Sequence, residues 1–172
     1  MENIEEYIRT VPDYPIKGVN FYDMNSLFSS PIWFECVEAI AYSVAEHKTI
    51  THIVGIESRG FVVGAAIAQA LGVPFTMIRK KGAKYPGKLI EETYELEYGT
   101  DTLTLQEGIL GHTSRVIIAD DLVATGGSMM ASKRLIEKTG AKVLGGVTVV
   151  DLSYLHSAEF NIPLISTYEA TE

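Results

Sequence analysis

The stretch from Val116 to Ser128 constrains the fold more than any other part of this chain. Its first four residues are all apolar, which is typical of a strand buried on both faces of a parallel sheet. Two aspartates follow, and a turn with paired glycines then leads into a segment with helical spacing. A strand, a turn and a helix in this order predict an α/β unit with a ligand site beyond the carboxyl end of the strand.

The rest of the chain alternates strand-like and helix-like segments in the same way. Ser29, Ser30 and Pro31 predict a helix start, and Gly72 and Gly140 predict helix ends. The predicted strands are residues 53–56, 75–78, 102–105, 116–119, 143–150 and 163–168, and the predicted helices are residues 32–47, 60–71 and 127–138. Residues 79–89 contain glycines and a proline without periodicity and are predicted to form a loop. We therefore expect one α/β domain over residues 1–172, with a mainly parallel sheet flanked by helices.

The turn after the two aspartates has the composition of a phosphate site. Glycines let backbone N–H groups converge on an anion, hydroxyl side chains add donors, and the helix start adds its dipole. The expected phosphate-binding residues are Ala124, Thr125, Gly126, Gly127 and Ser128. Asp120 and Asp121 would repel a bare phosphate, so sugar hydroxyls and a hydrated Mg²⁺ are their natural partners. A turn capped by two aspartates is the simpler alternative, but it does not account for a pattern that runs from residue 116 to residue 128.

A second strand-to-helix turn contains Ser58, Arg59 and Gly60. Backbone amides and a guanidinium at such a turn can grip a diphosphate in bidentate fashion, although a surface arginine on an ordinary turn would look similar. Five of the fourteen Lys and Arg residues lie close together after the next strand, at Arg79, Lys80, Lys81, Lys84 and Lys88. A solvated loop is one interpretation of this cluster, and a mobile lid that closes over an anionic substrate is the other, which we favour.

Composition limits the partners and the compartment. The net charge of −8 argues against nucleic acid or an anionic membrane as the main partner. Residues 1–10 lack the basic start and apolar core of a signal peptide, and no apolar run reaches membrane-spanning length. Cys36 is the only cysteine and lies in an amphipathic segment, which predicts a buried thiol and fits a reducing, cytoplasmic location. The four histidines show no metal-ligand spacing, so no direct protein ligation of a metal is expected.

Residues 116–128 match the 5-phosphoribosyl diphosphate (PRPP) signature of the type I phosphoribosyltransferases, and nearly the whole chain resembles the adenine phosphoribosyltransferase family. The matching segments are residues 8–15, Phe21-Tyr22-Asp23, residues 79–87 and, most distinctively, Tyr94-Glu95-Leu96-Glu97-Tyr98-Gly99.

This resemblance implies a Rossmann-like type I fold with a small N-terminal hood over the base, formed by about residues 1–30. It implies that adenine and PRPP are converted to AMP and pyrophosphate in purine salvage, by a homodimer that uses Mg²⁺ carried by PRPP. Asp120 and Asp121 would contact the sugar hydroxyls, and the metal through water, and Glu97 would be the acid/base for the purine ring proton. The pyrophosphate would be held by Ser58, Arg59, Gly60, Arg79, Lys80, Lys81 and Lys84, and the base by Asn20, Phe21 and Tyr22. In the family the peptide that corresponds to Glu57–Ser58 is often cis.

Three departures from the family pattern affect the base more than the reaction. Tyr22 stands where the family has arginine, and Asn20 stands where it has an apolar residue. The basic loop is one residue longer, with Ala83 inserted and Tyr85 at the usual leucine. The same transfer to guanine, hypoxanthine, xanthine or a modified purine is therefore an alternative. A PRPP-binding regulator is a weaker alternative, because an acidic chain of this length leaves no room for a nucleic-acid-binding module.

Overall fold

The computed structural model describes residues 4–46, 49–96 and 99–170. Ten strands are found in this part of the chain: β1 (Arg9–Val11), β2 (Phe21–Asp23), β3 (His52–Ile56), β4 (Phe75–Lys80), β5 (Leu89–Glu95), β6 (Thr100–Gln106), β7 (Arg115–Ala119), β8 (Leu122–Val123), β9 (Lys142–Asp151) and β10 (Leu164–Glu169). Its α-helices are α1 (Met24–Phe28), α2 (Ile32–Ala45), α3 (Gly60–Leu71) and α4 (Gly127–Glu137), and short 3-10 helices cover Ile4–Tyr7 and Ser153–Leu155.

The main sheet confirms the predicted mainly parallel α/β architecture. Its strands lie in the order β10-β9-β7-β3-β4-β6-β5, and the short β8 pairs with β9. Strands β10, β9, β7, β3 and β4 run parallel, whereas β6 and β5 are antiparallel additions at one edge. Because β3, β7 and β9 are parallel neighbours, the segments that follow them emerge at the same edge of the sheet.

Both faces of the sheet are covered by apolar side chains. Ile53 and Ile117 belong to the core on the side of α2 and α3, while Val54 and Ile118 belong to the core on the side of α4. These side chains alternate along β3 and β7, as the period of a strand requires. This arrangement buries β3 and β7 on both faces and accounts for their continuous apolar runs in the sequence.

The N-terminal residues form a small separate hairpin. β1 and β2 pair antiparallel, and Asp23 caps α1 by accepting a hydrogen bond from Asn25 N at 3.1 Å. Cys36 is a buried free thiol in α2, as predicted, and burial raises its pKa. Among the described residues, no helix has the length and apolar composition needed to cross a bilayer.

The predicted loop over residues 79–89 is wrong at both ends. Arg79 and Lys80 belong to β4, because they pair with Thr104 and Leu103 of β6, and Leu89 begins β5. The irregular part is therefore limited to residues 81–88.

Strand β5 was missed because one of its inward positions is charged. Ile90, Glu92 and Tyr94 alternate with more exposed residues, and Glu92 forms ion pairs with Arg134 of α4 and with Lys138, which follows the helix. A carboxylate paired in this way interrupts the apolar alternation that identifies a strand in the sequence.

Candidate active site

The acidic pair lies directly beyond the carboxyl end of β7. Asp121 is only 3% exposed, and its backbone N–H donates to Asp120 Oδ1 at 3.0 Å. Arg59 Nε lies 2.8 Å from Asp121 Oδ2, and the charge of Arg59 also acts on Asp120. Burial raises the pKa of Asp120 well above its usual range, and the neighbouring charge of Asp121 raises it further. Burial also raises the pKa of Asp121, although the Arg59 charge opposes that rise.

The predicted phosphate turn is closed by a left-handed glycine. Gly126 has φ of 82° and precedes the first residue of α4. A Cβ at this position would lie 2.3 Å from Phe160 Cδ2, so both the conformation and the space require glycine. The five predicted phosphate-binding residues all line one cavity of about 480 Å³, together with Asp120. This cavity, which we call the phosphate cavity after its predicted ligand, lies at the start of α4, where backbone N–H groups favour an anion.

The second predicted turn faces the acidic pair from β3. The Glu57–Ser58 peptide is cis, as the family resemblance implied. Gly60 begins α3 against the neighbouring strand, and a Cβ there would lie 2.7 Å from Ala119 O. Ser58, Arg59 and Lys80 line a cavity of about 520 Å³ that also contains Asp120 and Asp121. Gly60 thus permits the close approach of the two turns.

The hood residues form the third part of the site. Asn20, Phe21 and Tyr22 line a cavity of about 420 Å³, opposite Tyr154 and other residues that follow β9. The Phe21 ring lies 5.6 Å below the Arg59 guanidinium carbon and makes an edge contact with Tyr14. Burial raises the pKa of Tyr22, and the nearby Tyr154 contributes to the rise. A mostly apolar cavity with a few polar groups suits an aromatic ligand.

The three cavities meet at Leu122. This residue of β8 lines all of them, while Asp120 is shared by the first two cavities and Phe21 and Arg59 by the last two. A ligand with a phosphate, a sugar bearing a diphosphate, and an aromatic ring would place its central carbon near this point. Leu122 was not predicted as a site residue, because an apolar residue within an apolar run carries no functional signal in the sequence.

The predicted basic residues on the far side are held by carboxylates. Arg79 donates to Glu57 at 3.1 and 3.3 Å, Lys80 Nζ lies 3.1 Å from Asp101 Oδ2, and Lys81 Nζ lies 2.8 Å from Glu91 Oε2. Lys84 is exposed in the irregular segment and makes no ion pair with the described residues. Of these four cations, only Lys80 lines a cavity of the candidate site.

The predicted acid/base Glu97 lies outside the described residues, as does Tyr98. The residues before them are described, and Tyr94, Glu95 and Leu96 line the phosphate cavity. The segment that resembles the adenine enzymes therefore reaches the same site as the acidic pair.

Two aromatic residues that support the site carried no signal in the sequence. Phe160 lies beneath Gly126, and Tyr154 faces the hood across the third cavity. Both reach the site only through the path of the chain after β9, which residue types alone do not reveal.

The acidic pair suits a metal that brings most of its own ligands. In the described ranges, no three His, Cys, Asp or Glu side chains are grouped as a metal site. Two adjacent carboxylates beside a cationic turn fit a hydrated Mg²⁺ carried by a diphosphate, since Mg²⁺ keeps several waters and substrate oxygens as ligands.

Comparisons with known proteins agree with this geometry. Residues 23–156 match the phosphoribosyl transferase domain family. The chain is 43% identical over 172 residues to adenine phosphoribosyltransferase of Rhodospirillum centenum, with 98% of this chain and 99% of the relative covered.

Solved structures give the same result. The Saccharomyces cerevisiae adenine phosphoribosyltransferase, solved with an imino-altritol bisphosphate and adenine, superposes with a TM-score of 0.88 and 36% identity, covering 95% of each chain. The Giardia lamblia adenine phosphoribosyltransferase in complex with 9-deazaadenine superposes with a TM-score of 0.86 and 33% identity, covering 98% of this chain and 97% of that one. The chain therefore belongs to the phosphoribosyl transferase domain family, among the adenine phosphoribosyltransferases.

Proposed function

We propose that this protein transfers the 5-phosphoribosyl group of PRPP to adenine, giving AMP and pyrophosphate in purine salvage. The observation that carries the proposal is the meeting of three cavities at Leu122, with Asp120 lining two of them. The phosphate turn corresponds to the 5-phosphate of PRPP, the cationic turn to its diphosphate, and the mostly apolar cavity to adenine.

The phosphate turn would anchor the reacting sugar. Residues 124–128 offer backbone N–H groups and two hydroxyls to the 5-phosphate, whose binding energy holds the anomeric carbon beside Leu122. Arg59 and Lys80 would hold the diphosphate on the opposite side of that carbon. Mg²⁺ bound to the diphosphate would neutralise the charge that develops on the leaving group.

The acidic pair would favour bond breaking at the anomeric carbon. As the carbon–oxygen bond to the diphosphate breaks, positive charge develops on the sugar ring, and a nitrogen of the purine then bonds to that carbon. Asp120 and Asp121 would hold the ribose hydroxyls and stabilise this charge electrostatically. Burial holds these carboxylates away from bulk water, which strengthens the effect.

The purine would lie between Phe21 and the residues after β9. Its ring proton must leave as the new bond forms, and Glu97 is proposed to accept it by resemblance to the family. Exchange of Glu97 for glutamine should then lower turnover by roughly 10²–10⁴-fold with little change in PRPP affinity. An equal loss in both quantities would contradict this role.

Transfer to another purine is the second candidate function. It is favoured by Asn20, whose amide can pair with a purine edge in either orientation, and by Tyr22, which lacks the fixed charge of arginine. We favour adenine because the Tyr94–Gly99 segment keeps the adenine-type pattern.

A panel of bases with PRPP and Mg²⁺ tests the choice. A base whose polar edge stays unpaired in the cavity binds with a free-energy penalty of about 1–3 kcal/mol for each unpaired group. The kcat/KM for adenine should therefore exceed that for guanine, hypoxanthine and xanthine by at least about tenfold. The double variant Asn20→Val, Tyr22→Arg should change this margin and keep turnover. Equal or better use of an oxopurine by the parent would contradict the adenine assignment alone.

We further propose a cytoplasmic homodimer. The proposal is supported by the family resemblance and by two large exposed side chains on α2, Phe34 and Tyr42, which are 73% and 75% exposed. Light scattering should give twice the chain mass of 18.9 kDa, and a monomer at working concentration would contradict it.

A further inference from the structure

Tyr94 is a buried polar residue beside the phosphate turn to which the proposed mechanism gives no role. It is 7% exposed, and its Oη lies 3.2 Å from Ser128 Oγ. Its ring packs along the same turn, since a Cβ at Gly127 would lie 3.8 Å from Tyr94 Cδ2. The hydroxyl therefore reaches a residue that lines the phosphate cavity, and the ring forms part of the wall.

The chemistry of the ligand sets the direction of this hydrogen bond. A phosphate dianion only accepts hydrogen bonds, so Ser128 can contact it only by donating its own hydroxyl proton. The Ser128 oxygen then has to accept from its other neighbour, and Tyr94 Oη is within reach to donate. A chain of two hydroxyls that point the same way strengthens each bond by polarisation.

The backbone of Ser128 is fixed independently of Tyr94. Its carbonyl accepts from Ser132 Oγ at 2.8 Å, one turn further along α4. The Ser128 hydroxyl can still rotate, and Tyr94 is the side chain placed to restrict that rotation.

We propose that Tyr94 is a positioning residue for the 5-phosphate, donating to Ser128 Oγ so that the Ser128 proton is directed at the phosphate. The inference rests on the proposed function and adds a residue of β5 to the phosphate site. It also connects the segment that continues to Glu97 with the turn that anchors the sugar.

The variant Tyr94→Phe tests the proposal, because it removes one oxygen and keeps the ring. Loss of one aligned donor should raise the KM for PRPP roughly three- to tenfold, with kcat and the KM for adenine changed by less than about twofold. A matched control is Thr93→Val. Thr93 lies next to it on β5, and its hydroxyl pairs with Thr102 Oγ1 at 2.9 Å and not with Ser128, so this variant should leave the KM for PRPP unchanged.

A binding measurement separates this role from the activity. Calorimetry should show that Tyr94→Phe weakens the binding of ribose 5-phosphate by about the same factor as it raises the KM for PRPP. The affinity for pyrophosphate should stay unchanged. In a Ser128→Ala background the Tyr94 change should have no further effect on ribose 5-phosphate, because the hydroxyl that it orients is gone.

Several results would overturn the role of Tyr94. They are unchanged ribose 5-phosphate affinity in Tyr94→Phe, additive losses in the double variant, an equal loss in Thr93→Val, or failure of Tyr94→Phe to fold. A parent that binds ribose 5-phosphate but forms no AMP would contradict the proposed function instead.

Discussion

The acidic pair is the residue-scale feature in which stability and the proposed function conflict. Asp121 is buried, the adjacent Asp120 is half-buried, and the Arg59 guanidinium pairs with Asp121. Burial raises both pKa values, and the charge of Asp121 raises that of Asp120 further, which means that the folded protein favours the protonated forms. Holding the charged forms at neutral pH therefore costs stability.

We expect Asp120→Asn to stabilise the ligand-free protein at pH 7 and to remove most of its activity. The amide keeps the oxygen that accepts from Asp121 N and removes the buried charge. The melting temperature should rise by about 2–4 °C for each kcal/mol gained, and turnover should fall roughly a hundredfold as the sugar contact and the field are lost.

The gain in stability from Asp120→Asn should depend on pH. Because the folded-state pKa of Asp120 is raised, its cost is absent below the ordinary aspartate pKa of about 3.9, grows as pH rises from there to the folded-state pKa, and is constant above it. The stability difference between variant and parent should thus be small in acid and largest at neutral pH. A variant less stable than the parent at pH 7 would show that the charge of Asp120 supports the fold.

At the scale of elements, the phosphate turn depends on the segment of residues 152–160. Leu152 N donates to Val123 O at 2.9 Å, and Ser157 N donates to Thr125 O at 3.1 Å. Phe160 fills the space beneath Gly126, and the His156 ring lies 4.3 Å from the Phe160 ring with Nε2 2.7 Å from Asp151 Oδ1. These contacts hold the phosphate turn against the segment that follows β9.

Gly126→Ala should damage both stability and PRPP binding. Its Cβ would meet Phe160, and its φ of 82° is unfavourable for alanine by about 1–2 kcal/mol. Gly108→Ala is the matched control, because Gly108 has φ of 85° and a Cβ added there would meet no other atom within 4 Å. Urea unfolding should show a larger loss for Gly126→Ala, and only that variant should raise the KM for PRPP. Equal losses in both variants would mean that contact with Phe160 contributes nothing.

How far the sequence predicts these elements depends on how each is stabilised. The parallel strands and the three long helices were predicted because local apolar patterns and helix signals specify them. β5 was missed because its inward residue Glu92 is charged, and the ion pairs with Arg134 and Lys138 that make this possible are tertiary contacts. The β1–β2 hairpin was missed because each of its strands has only three residues. The supports from Tyr154 and Phe160 depend on tertiary contacts that a local pattern does not encode.

At the scale of the whole molecule, the site combines three segments that follow strands of the main sheet with residues of the N-terminal hairpin region. The turns after β3 and β7, the segment after β9 and the hood residues 18–22 line contiguous cavities. The roles predicted for the first two turns follow from residue types and from the family pattern. Their meeting at Leu122 follows from the neighbouring positions of β3, β7 and β9, which the sequence did not reveal.

The distribution of charge also belongs to this scale. The net charge is −8, and the cations Arg79, Lys80 and Lys81 are paired with the carboxylates of Glu57, Asp101 and Glu91. This arrangement leaves no broad basic face among the described residues for nucleic acid, which disfavours the regulator alternative.

Phosphorus NMR of PRPP mixed with adenine, Mg²⁺ and the purified protein tests the proposed phosphoribosyl transfer. The PRPP signals should be replaced by those of AMP and pyrophosphate in equal amounts. Chelation of Mg²⁺, or the double variant Asp120→Asn, Asp121→Asn, should stop the conversion while the protein stays folded. Unchanged PRPP signals with the parent protein, or full conversion by the folded double variant, would contradict the proposed transfer.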